Sequence, residues 1–375
     1  MSCLQAPARR SFRGSRMHAL VALAPMLLKN VLEAQPTSPC WLAILPMDLL
    51  LTILERAEGL DPEFRHGFSL SPTGRYVPKY DALVSVVHSF GERGTGEGQF
   101  RAINQLAYAS NGNLFCTDMY NARVHERNGL TGDLVQTIDL SSTCRRPVGI
   151  ALSRRPAGSF YVSDWAQRRV CEYRLSDGAF QRVVIARGLG EGLVVVQSRL
   201  FGLSLSPDES QLAVIDEGRH AVLIIRLDGS EAARAVGCHG TGEGQFRNPV
   251  DVAFSPDGKH YCVADLVNCC VQVIAVVDGS FVRRIRCGDM VSAVAVAIDG
   301  SVLVQTTRGM KVFSLEGILL HDSIAALPDR PGDITARETL VLNNDSGRAS
   351  LAICSCRGLV AVATSSSQHK SVCIL

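Results

Sequence analysis

Strong charge of either sign is missing from this chain of 375 residues, and aromatic residues are scarce. Lys and Arg number 38 against 36 Asp and Glu, which leaves a formal net charge of +2, and Phe, Trp and Tyr make up 6%. A near-neutral chain is not a strongly basic nucleic-acid binder as a whole, although local basic patches stay open. The apolar run at 18–28 is too short to span a bilayer, and Pro25 interrupts it. We expect no membrane span.

Signatures of cofactor, metal and catalytic sites are missing as well. The thirteen cysteines include no pair of CxxC sequences, and the nine histidines share no ligand-like spacing. Cys116, Cys171 and Cys262 fall in strand-like runs, which predicts reduced thiols packed in a core and a cytosol-like compartment. No Ser/His/Asp or Cys/His arrangement has a local signature. We therefore expect no cofactor and no enzyme activity.

One stretch, GTGEGQFR, occurs twice without change, at Gly94–Arg101 and Gly240–Arg247. A phosphate-binding loop would end in Gly-Lys-Ser/Thr and open a helix, and neither copy does. The copies start 146 residues apart, about three times the period of a propeller blade. A degenerate copy, Gly188-Leu-Gly-Glu-Gly192, lies between them. The stretch therefore indicates a structural repeat and not a nucleotide site.

Each repeat unit contains several short apolar runs separated by tight turns. Four units carry an Asp six residues before a Val, in NLFCTDMYNARV, SFYVSDWAQRRV, QLAVIDEGRHAV and HYCVADLVNCCV. Apolar runs punctuated by Gly, Asp-Gly and Pro-Asp-Gly are typical of strands joined by hairpin turns. Each unit is thus predicted to be a four-stranded antiparallel meander. Thr306 replaces the Asp in a weaker fifth unit.

The last unit, 350–375, supplies only three runs before the chain ends. Residues 81–91 match the fourth-strand segment 278–288 in length, opening Asp and closing Gly. We predict that this N-terminal strand completes the C-terminal sheet and closes a ring, because radial repetition leaves only short sheet edges. The fold class is all-β, a six-bladed β-propeller of four-stranded antiparallel blades. A seventh blade is the alternative, since 68–77 resembles two further strands.

The second copy continues with Asn248–Ala253, Ser255–Gly258 and Val263–Asn268, which read NPVDVA, SPDG and VADLVN. With G-x-G-E-G-Q-F before them, these motifs resemble the NHL repeat, whose fold is a six-bladed β-propeller. The resemblance covers about 81–375. NHL propellers include protein-binding and RNA-binding members, so the resemblance implies a binding platform without choosing the partner.

Physical roles follow for the repeat residues. We expect the glycines to permit positive φ or close backbone approach where the chain passes between blades, with positive φ at Gly96 and Gly242. The phenylalanines should fill gaps between blades, and the aspartates should cap the turns that follow them. Calcium binding by Asp and Asn is the alternative, but two oxygens per blade around a ring do not converge on one ion. The structural residues are Gly94, Gly96, Gly98, Phe100, Asp118, Asn121, Asp164, Asp216, Gly240, Gly242, Gly244, Phe246, Asp265 and Asn268.

The N-terminal part does not share the repeat. We divide the chain into a disordered or targeting segment at 1–40, an amphipathic helix with a linker at 41–66, and the propeller at 67–375. The first acidic residue is Glu33, so residues 1–32 would suit mitochondrial or secretory targeting as an alternative to a cytoplasmic location. Residues 45–54, LPMDLLLTIL, resemble the first helix of an F-box, which implies a ubiquitin-ligase adaptor; a helix packed on the propeller is the simpler reading.

The sequence favours a monomeric, non-catalytic scaffold that binds a protein partner on one propeller face. In a four-stranded blade, the loop between blades and the turn between strands two and three lie on the same face. The predicted binding residues there are Met119, Tyr120, Arg145, Arg146, Trp165, Arg168, Arg169, Arg219 and His220. Single-stranded RNA binding is the first alternative, because the second blade is locally basic. Ubiquitin-ligase adaptor and propeller lactonase or lyase are the others.

Overall fold

The structure is a computed structural model. It describes residues 68–70, 76–78, 88–155, 157–186, 196, 198–322, 350–354, 359–365 and 370–374. The predictions for 1–40, 41–66 and the helix at 45–54 lie outside these residues, as does the degenerate copy at 188–192. None of the helices in the described ranges is long and apolar enough to cross a membrane.

Contacts divide the chain into two units, 1–76 and 77–375. Strands β1 (Phe68–Leu70) and β2 (Tyr76–Pro78) form a two-stranded sheet of their own. This is the segment that suggested a seventh blade, and no four-stranded sheet includes it among the described strands.

The second unit is built from antiparallel sheets of four strands, six of them within the described ranges. Two short strands in the loop before β18, β16 (Cys238–His239) and β17 (Gln245–Phe246), pair with each other. Five sheets take four strands in chain order. They comprise β4 (Ile103–Tyr108), β5 (Asn113–Asp118), β6 (Arg123–Asn128) and β7 (Leu134–Asp139); β8 (Pro147–Leu152), β9 (Ser159–Asp164), β10 (Arg169–Arg174) and β11 (Phe180–Ala186); β12 (Leu200–Leu205), β13 (Gln211–Asp216), β14 (Ala221–Arg226) and β15 (Arg234–Val236); β18 (Pro249–Phe254), β19 (His260–Asp265), β20 (Cys270–Ala275) and β21 (Phe281–Arg286); and β22 (Val291–Val296), β23 (Val302–Thr306), β24 (Met310–Phe313) and β25 (Leu319–Asp322).

The remaining sheet joins the two ends of the unit. It contains β26 (Ser350–Cys354), β27 (Leu359–Ser365), β28 (Lys370–Ile374) and, at its outer edge, β3 (His88–Phe90). β3 runs antiparallel to β28, with Phe90 opposite Val372 and His88 opposite Ile374. Three residues of the segment 81–91 are therefore paired with the C-terminal strand.

The first strands of the sheets surround a common axis. Each of β4, β8, β12, β18, β22 and β26 contacts the first strand of the next sheet, and β26 contacts β4. A ring of radially arranged antiparallel sheets is a β-propeller. We call the loop that connects the last strand of one sheet to the first strand of the next a crossing loop.

The core lies between neighbouring sheets. The second strands are its most buried elements: in β5, β13 and β19 every residue after the first is buried. Phe100 and Phe246 are fully buried at the ends of the two identical crossing loops. Phe100 packs with residues of β4, β5 and β28, so it fills the space between the first and last sheets. Burying one such side chain contributes roughly 1.5–3 kcal/mol.

Backbone conformation in the identical loops differs from the sequence prediction at one point. Gly96 and Gly242 do not have positive φ, whereas Gly98 and Gly244 do, at 71° and 67°. A Cβ on Gly96 would lie 2.9 Å from Gln99 Oε1, the flexible end of that side chain. The Gln99 side chain folds back over the loop and accepts the N–H of Gly96 at 3.0 Å.

Candidate functional site: the crossing face and the propeller axis

The crossing face is the end of the propeller that carries the crossing loops and the turns between second and third strands. A buried Asp at the end of four of the second strands holds these two features together. Asp118 Oδ1 accepts the backbone N–H groups of Arg101 (2.9 Å) and Ala102 (3.1 Å), and Asp265 Oδ1 accepts that of Arg247 (2.8 Å). The prediction that Asp118 caps the turn after it is wrong, because its carboxylate is used by the crossing loop before β4.

The other sheets vary this arrangement. Asp164 accepts the N–H groups of Arg145 (2.9 Å) and Arg146 (3.3 Å) and also caps its own turn through Ala166 (3.0 Å) and Gln167 (3.1 Å). Asp216 accepts the N–H of Arg219 at 3.3 Å and a hydrogen bond from Ser198 Oγ. Thr306, which replaces the Asp, accepts the N–H groups of Arg308 and Gly309 at 3.2 Å. Turn capping therefore holds at Asp164, Asp216 and Thr306, and Asp265 also accepts a backbone hydrogen bond from Asn268 in its own turn.

The two Asn side chains of the repeat link the same parts. Asn121 Nδ2 donates to Asp118 Oδ2 (2.7 Å) and to the carbonyl of Gly94 (3.0 Å). Asn268 makes the matching bonds to Asp265 Oδ2 (2.7 Å) and Gly240 (3.0 Å). In this geometry each Asn presents its amide donors to the carboxylate. Nowhere in the described ranges do three or more His, Cys, Asp or Glu form a group that could hold a metal ion.

Trp165 is the centre of a stack of rings and guanidinium groups on the crossing face. The Arg146 guanidinium lies 5.0 Å from the Trp165 ring centroid and 5.6 Å from that of Tyr120. Arg199 lies over the same Trp165 ring at 4.3 Å. Trp165 is half-buried and packs against the hydrophobic core below, whereas Tyr120 is 53% exposed. Cation–π contacts hold these side chains in place without burying their charge.

The structure sorts the remaining predicted binding residues into two groups. Met119 is buried in the core and does not belong to an exposed face. Arg169 donates to the carbonyl of Thr143 and to Gln167 Oε1, and Arg219 forms an ion pair with Asp216 at 3.7 Å. Arg168 occupies the left-handed turn position, with φ of 55°. Tyr120, Arg146 and Trp165 share the cation–π stack, and exposed Arg145 is the sequence neighbour of Arg146.

His220 belongs to the loop-holding group. Its Nδ1 accepts the backbone N–H of Asn248 at 3.1 Å, and its ring lies 4.7 Å from that of His239. Partial burial and the neighbouring His239 lower the pKa of His220. At neutral pH this imidazole therefore acts as a neutral acceptor for the loop before β18.

Three exposed arginines on this face were missed by sequence reasoning. Arg101, Arg199 and Arg247 lie one or two residues before first strands, as Arg145 and Arg146 do before β8. Equivalent hydrogen bonds confirm the register: Trp165 N–H donates to the carbonyl of Arg146, and Glu217 N–H donates to that of Arg199. An alignment of the repeats from their Asp residues could have found them.

The propeller axis is filled by a polar contact between opposite sheets. Gln105 Nε2 donates to Asp251 Oδ1 at 2.9 Å, while Gln105 Oε1 accepts the N–H groups of Ile150 (2.8 Å) and Leu203 (3.3 Å). Asp251 Oδ2 accepts the N–H of Val294 at 3.1 Å. The two side chains thus bind five of the first strands together, counting their own β4 and β18.

Two glycines make this axial contact fit. Gly149 and Gly202 are the third residues of β8 and β12, as Gln105 and Asp251 are of β4 and β18. A Cβ on Gly149 would crowd Gln105 Oε1, and one on Gly202 would collide with Asp251. The side chains of Gln105 and Asp251 therefore fit at the axis because glycine occupies the corresponding positions of β8 and β12.

Burial raises the pKa of Asp251 to about 7, against the lowering effect of the N–H groups of Val294 and Val252. A carboxyl with a raised pKa in a cleft is a candidate acid or base. Beyond it along the axis lies a cavity of about 220 Å³, whose lining includes Gln105, Tyr108 and Arg154 and contains no carboxylate. Each Asp251 oxygen is occupied by protein donors, so in this geometry the group ties the sheets together.

Comparisons with known proteins add little to this description. No protein-family model matches the chain, and no curated protein matches it. A solved structure similar to it is a crystal structure of a nidogen/laminin complex, with 17% identity over 60% of this chain and 80% of that chain and a TM-score of 0.48. The assignment as a β-propeller therefore rests on the arrangement of this chain's own sheets.

Proposed function

We propose that this protein is a six-bladed propeller of the NHL-repeat type and a non-catalytic scaffold that binds a protein partner on its crossing face. The blade number is supported by the six four-stranded sheets and by the contact between β26 and β4. The NHL assignment is supported by the GTGEGQF motif of the two identical loops. It is also supported by Asp118 and Asp265, which each accept a backbone N–H at the end of one loop.

The observation that carries the binding proposal is the stack of Tyr120, Arg146, Trp165 and Arg199. Tyr, Trp and Arg are the residues that contribute most often to binding hot spots. Here they are already ordered against one another and against the core. Docking of a partner on these side chains therefore costs little of their remaining conformational entropy.

RNA binding is the second candidate, and the exposed arginines before the first strands favour it because they could contact phosphates. The contacts of Trp165 argue against RNA binding. Base stacking needs an open aromatic face, and two guanidinium groups lie over this ring. The protein partner is therefore the better supported proposal.

The other candidates have less support. The ubiquitin-ligase adaptor depends on residues 45–54, outside the described ranges. A lactonase or lyase reaction at the axis would have to displace the hydrogen bond between Gln105 and Asp251. A cytoplasmic location agrees with the free thiols at all eight cysteines whose pairing the structure describes. Monomeric state and location remain part of the proposal.

Affinity capture of the full chain, with and without RNase, tests the proposal. Tyr120→Ala is the decisive variant, because Tyr120 is exposed and its loss should leave the fold intact. Val277→Ala is the control: Val277 is 87% exposed in the turn between β20 and β21, on the opposite face. We expect RNase-resistant partners whose recovery falls about tenfold or more with Tyr120→Ala only. Partners lost on RNase treatment, or equal recovery with both variants, would contradict it.

A further inference from the structure

Four successive sheets present an exposed arginine at the start of their first strand. These residues are Arg101, Arg145, Arg199 and Arg247, and half-buried Arg146 lies beside Arg145. We call these five residues the arginine arc. Because the first strands surround the axis, the arc follows the rim of the axial channel on the crossing face.

The arc carries uncompensated positive charge. Within the described residues none of its members forms an ion pair, whereas Arg123 pairs with Asp118 and Arg182 with Glu172. The nearby aspartates are not available either, since Asp118 and Asp265 lie beneath the crossing loops. Exposed Glu97 and Glu243 belong to two of these loops, so the arc is positive and the whole face is not.

Two of the charges share one aromatic side chain. The Arg146 and Arg199 guanidinium groups lie over the same indole ring, 5.0 Å and 4.3 Å from its centroid. The ring attracts each cation, but it does not cancel their mutual repulsion. A partner's carboxylate that reaches either guanidinium group from solvent would offset its charge and accept charge-assisted hydrogen bonds from it.

The arc ends at the fifth sheet, where the corresponding position is Asp289. This carboxylate already pairs with Arg308 at 3.1 Å and Lys311 at 3.3 Å. Among the described residues just before the first strands, the unpaired arginines thus belong to the sheets that begin with β4, β8, β12 and β18. A ligand that matches it must carry several negative charges along a curved path, which a single small anion does not.

From the arc we infer that the partner of the crossing face presents an acidic segment, rich in Asp and Glu, which lies along Arg101, Arg145, Arg146, Arg199 and Arg247. This inference rests on the proposed function and specifies the chemistry of the partner. An acidic peptide fits better than RNA because the arc supplies cations while the indole at its centre is covered. Peptide carboxylates need only the guanidinium groups.

Fluorescence anisotropy with defined probes tests the inference on the full chain. The probes are a labelled Gly-Glu repeat peptide, a Gly-Gln repeat of equal length, and a labelled oligouridylate. The arc variants are Arg146→Ala/Arg199→Ala and Arg101→Ala/Arg247→Ala. The charge-matched control is Arg154→Ala/Arg174→Ala, whose residues lie at turns of the opposite face.

The acidic peptide should bind and the Gly-Gln peptide should not. Each arc variant should weaken binding about tenfold or more, and the control about twofold or less. Affinity should fall as salt rises, because the contacts are ionic. Circular dichroism and thermal melting check the fold. If loss of Arg146 disturbs Trp165, Arg101→Ala/Arg247→Ala decides, since the bonds from these residues to Asp118 and Asp265 come from the backbone.

Absence of binding to the acidic peptide, or equal binding by arc and control variants, would overturn the inference. The proposed function would then still be judged by RNase-resistant capture with Tyr120→Ala, which uses no acidic probe. Tighter, arc-dependent binding of oligouridylate would overturn the inference and the proposed protein partner together.

Discussion

The two identical loops, Gly94–Arg101 and Gly240–Arg247, have almost the same internal geometry. In both, the first Gly N–H donates to the Phe carbonyl, at 3.0 Å and 3.1 Å, and the Gln side chain accepts the N–H of the second Gly at 3.0 Å. Both Phe side chains are fully buried. The identical sequence thus forms the same internal hydrogen bonds in both loops.

The loops differ in how the Asp beneath them is compensated. Asp118 forms an ion pair with Arg123 at 3.2 Å, and Arg123 also donates to the carbonyls of Gly96 and Gln99. The residue equivalent to Arg123 is Cys270, which is buried. In place of a cation, Asp265 receives neutral donors, which are the backbone N–H of Arg247 and the side-chain amides of Asn268 and Gln272. Burial accordingly raises the pKa of Asp265. Flanking strands, and not the loop, set the electrostatics.

Replacing each Asp by Asn should reveal the largest difference between the two loops, as a difference in the free energy of unfolding. Asp118→Asn leaves Arg123 partly buried without its counter-charge, so we expect a loss of about 3 kcal/mol in the free energy of unfolding. Asp265→Asn removes a carboxylate whose ionised form burial disfavours, and it should cost about 1 kcal/mol through weakened hydrogen bonds. Urea unfolding at neutral pH measures both.

Equal losses, or a larger loss for Asp265→Asn, would break this account of the two loops. Arg123→Ala combined with Asp118→Asn provides the control. The double variant should lose less than the sum of the single ones, because a neutralised site no longer contains an unpaired charge.

A smaller effect is expected from His125, seven residues after Asp118. Burial, with Arg123 and Arg127 nearby, lowers the pKa of His125 to about 4. Its ring contacts Phe100 edge-on, with centroids 4.8 Å apart. The folded pKa lies below the unfolded value of about 6.5, so the stabilising effect of neutral His125 is complete above that pH and is lost as pH falls towards 4, by about 2 kcal/mol.

The second loop has Gln272 at the matching position, so His125→Gln transfers its chemistry to the first. We expect the variant to lose less stability than the wild type between pH 6.5 and 4.5 in urea unfolding. Asp251, with its pKa raised to about 7, acts in the opposite direction over this range, and the difference between the proteins cancels its contribution. Parallel pH profiles would show that His125 is not held neutral.

The sheets could be predicted from the sequence because strands and turns are local and the repeat displays them several times. The position of Phe100 and the contact of Asn121 with Asp118 follow from residues close in sequence. Positive φ was assigned to Gly96 when it belongs to Gly98, because a Gly-rich loop can place the left-handed residue at more than one glycine.

Other parts of the site depend on residues far apart in the chain. Gln105 and Asp251 meet across the axis from positions 146 residues apart, and neither has a local signature. Arg199 was missed because its contact with Trp165 joins two sheets. Met119 was placed on the surface because alternation along a turn does not show which side chain points into the core.

The most direct test of the scaffold proposal is photo-crosslinking from each face in turn. A benzophenone amino acid replaces exposed Tyr120 on the crossing face or exposed Val277 on the opposite face, and adducts are identified after RNase treatment. We predict protein adducts from position 120 that are absent from position 277. Adducts from position 277 alone, or only nucleic-acid adducts when RNase is omitted, would contradict a protein-binding crossing face.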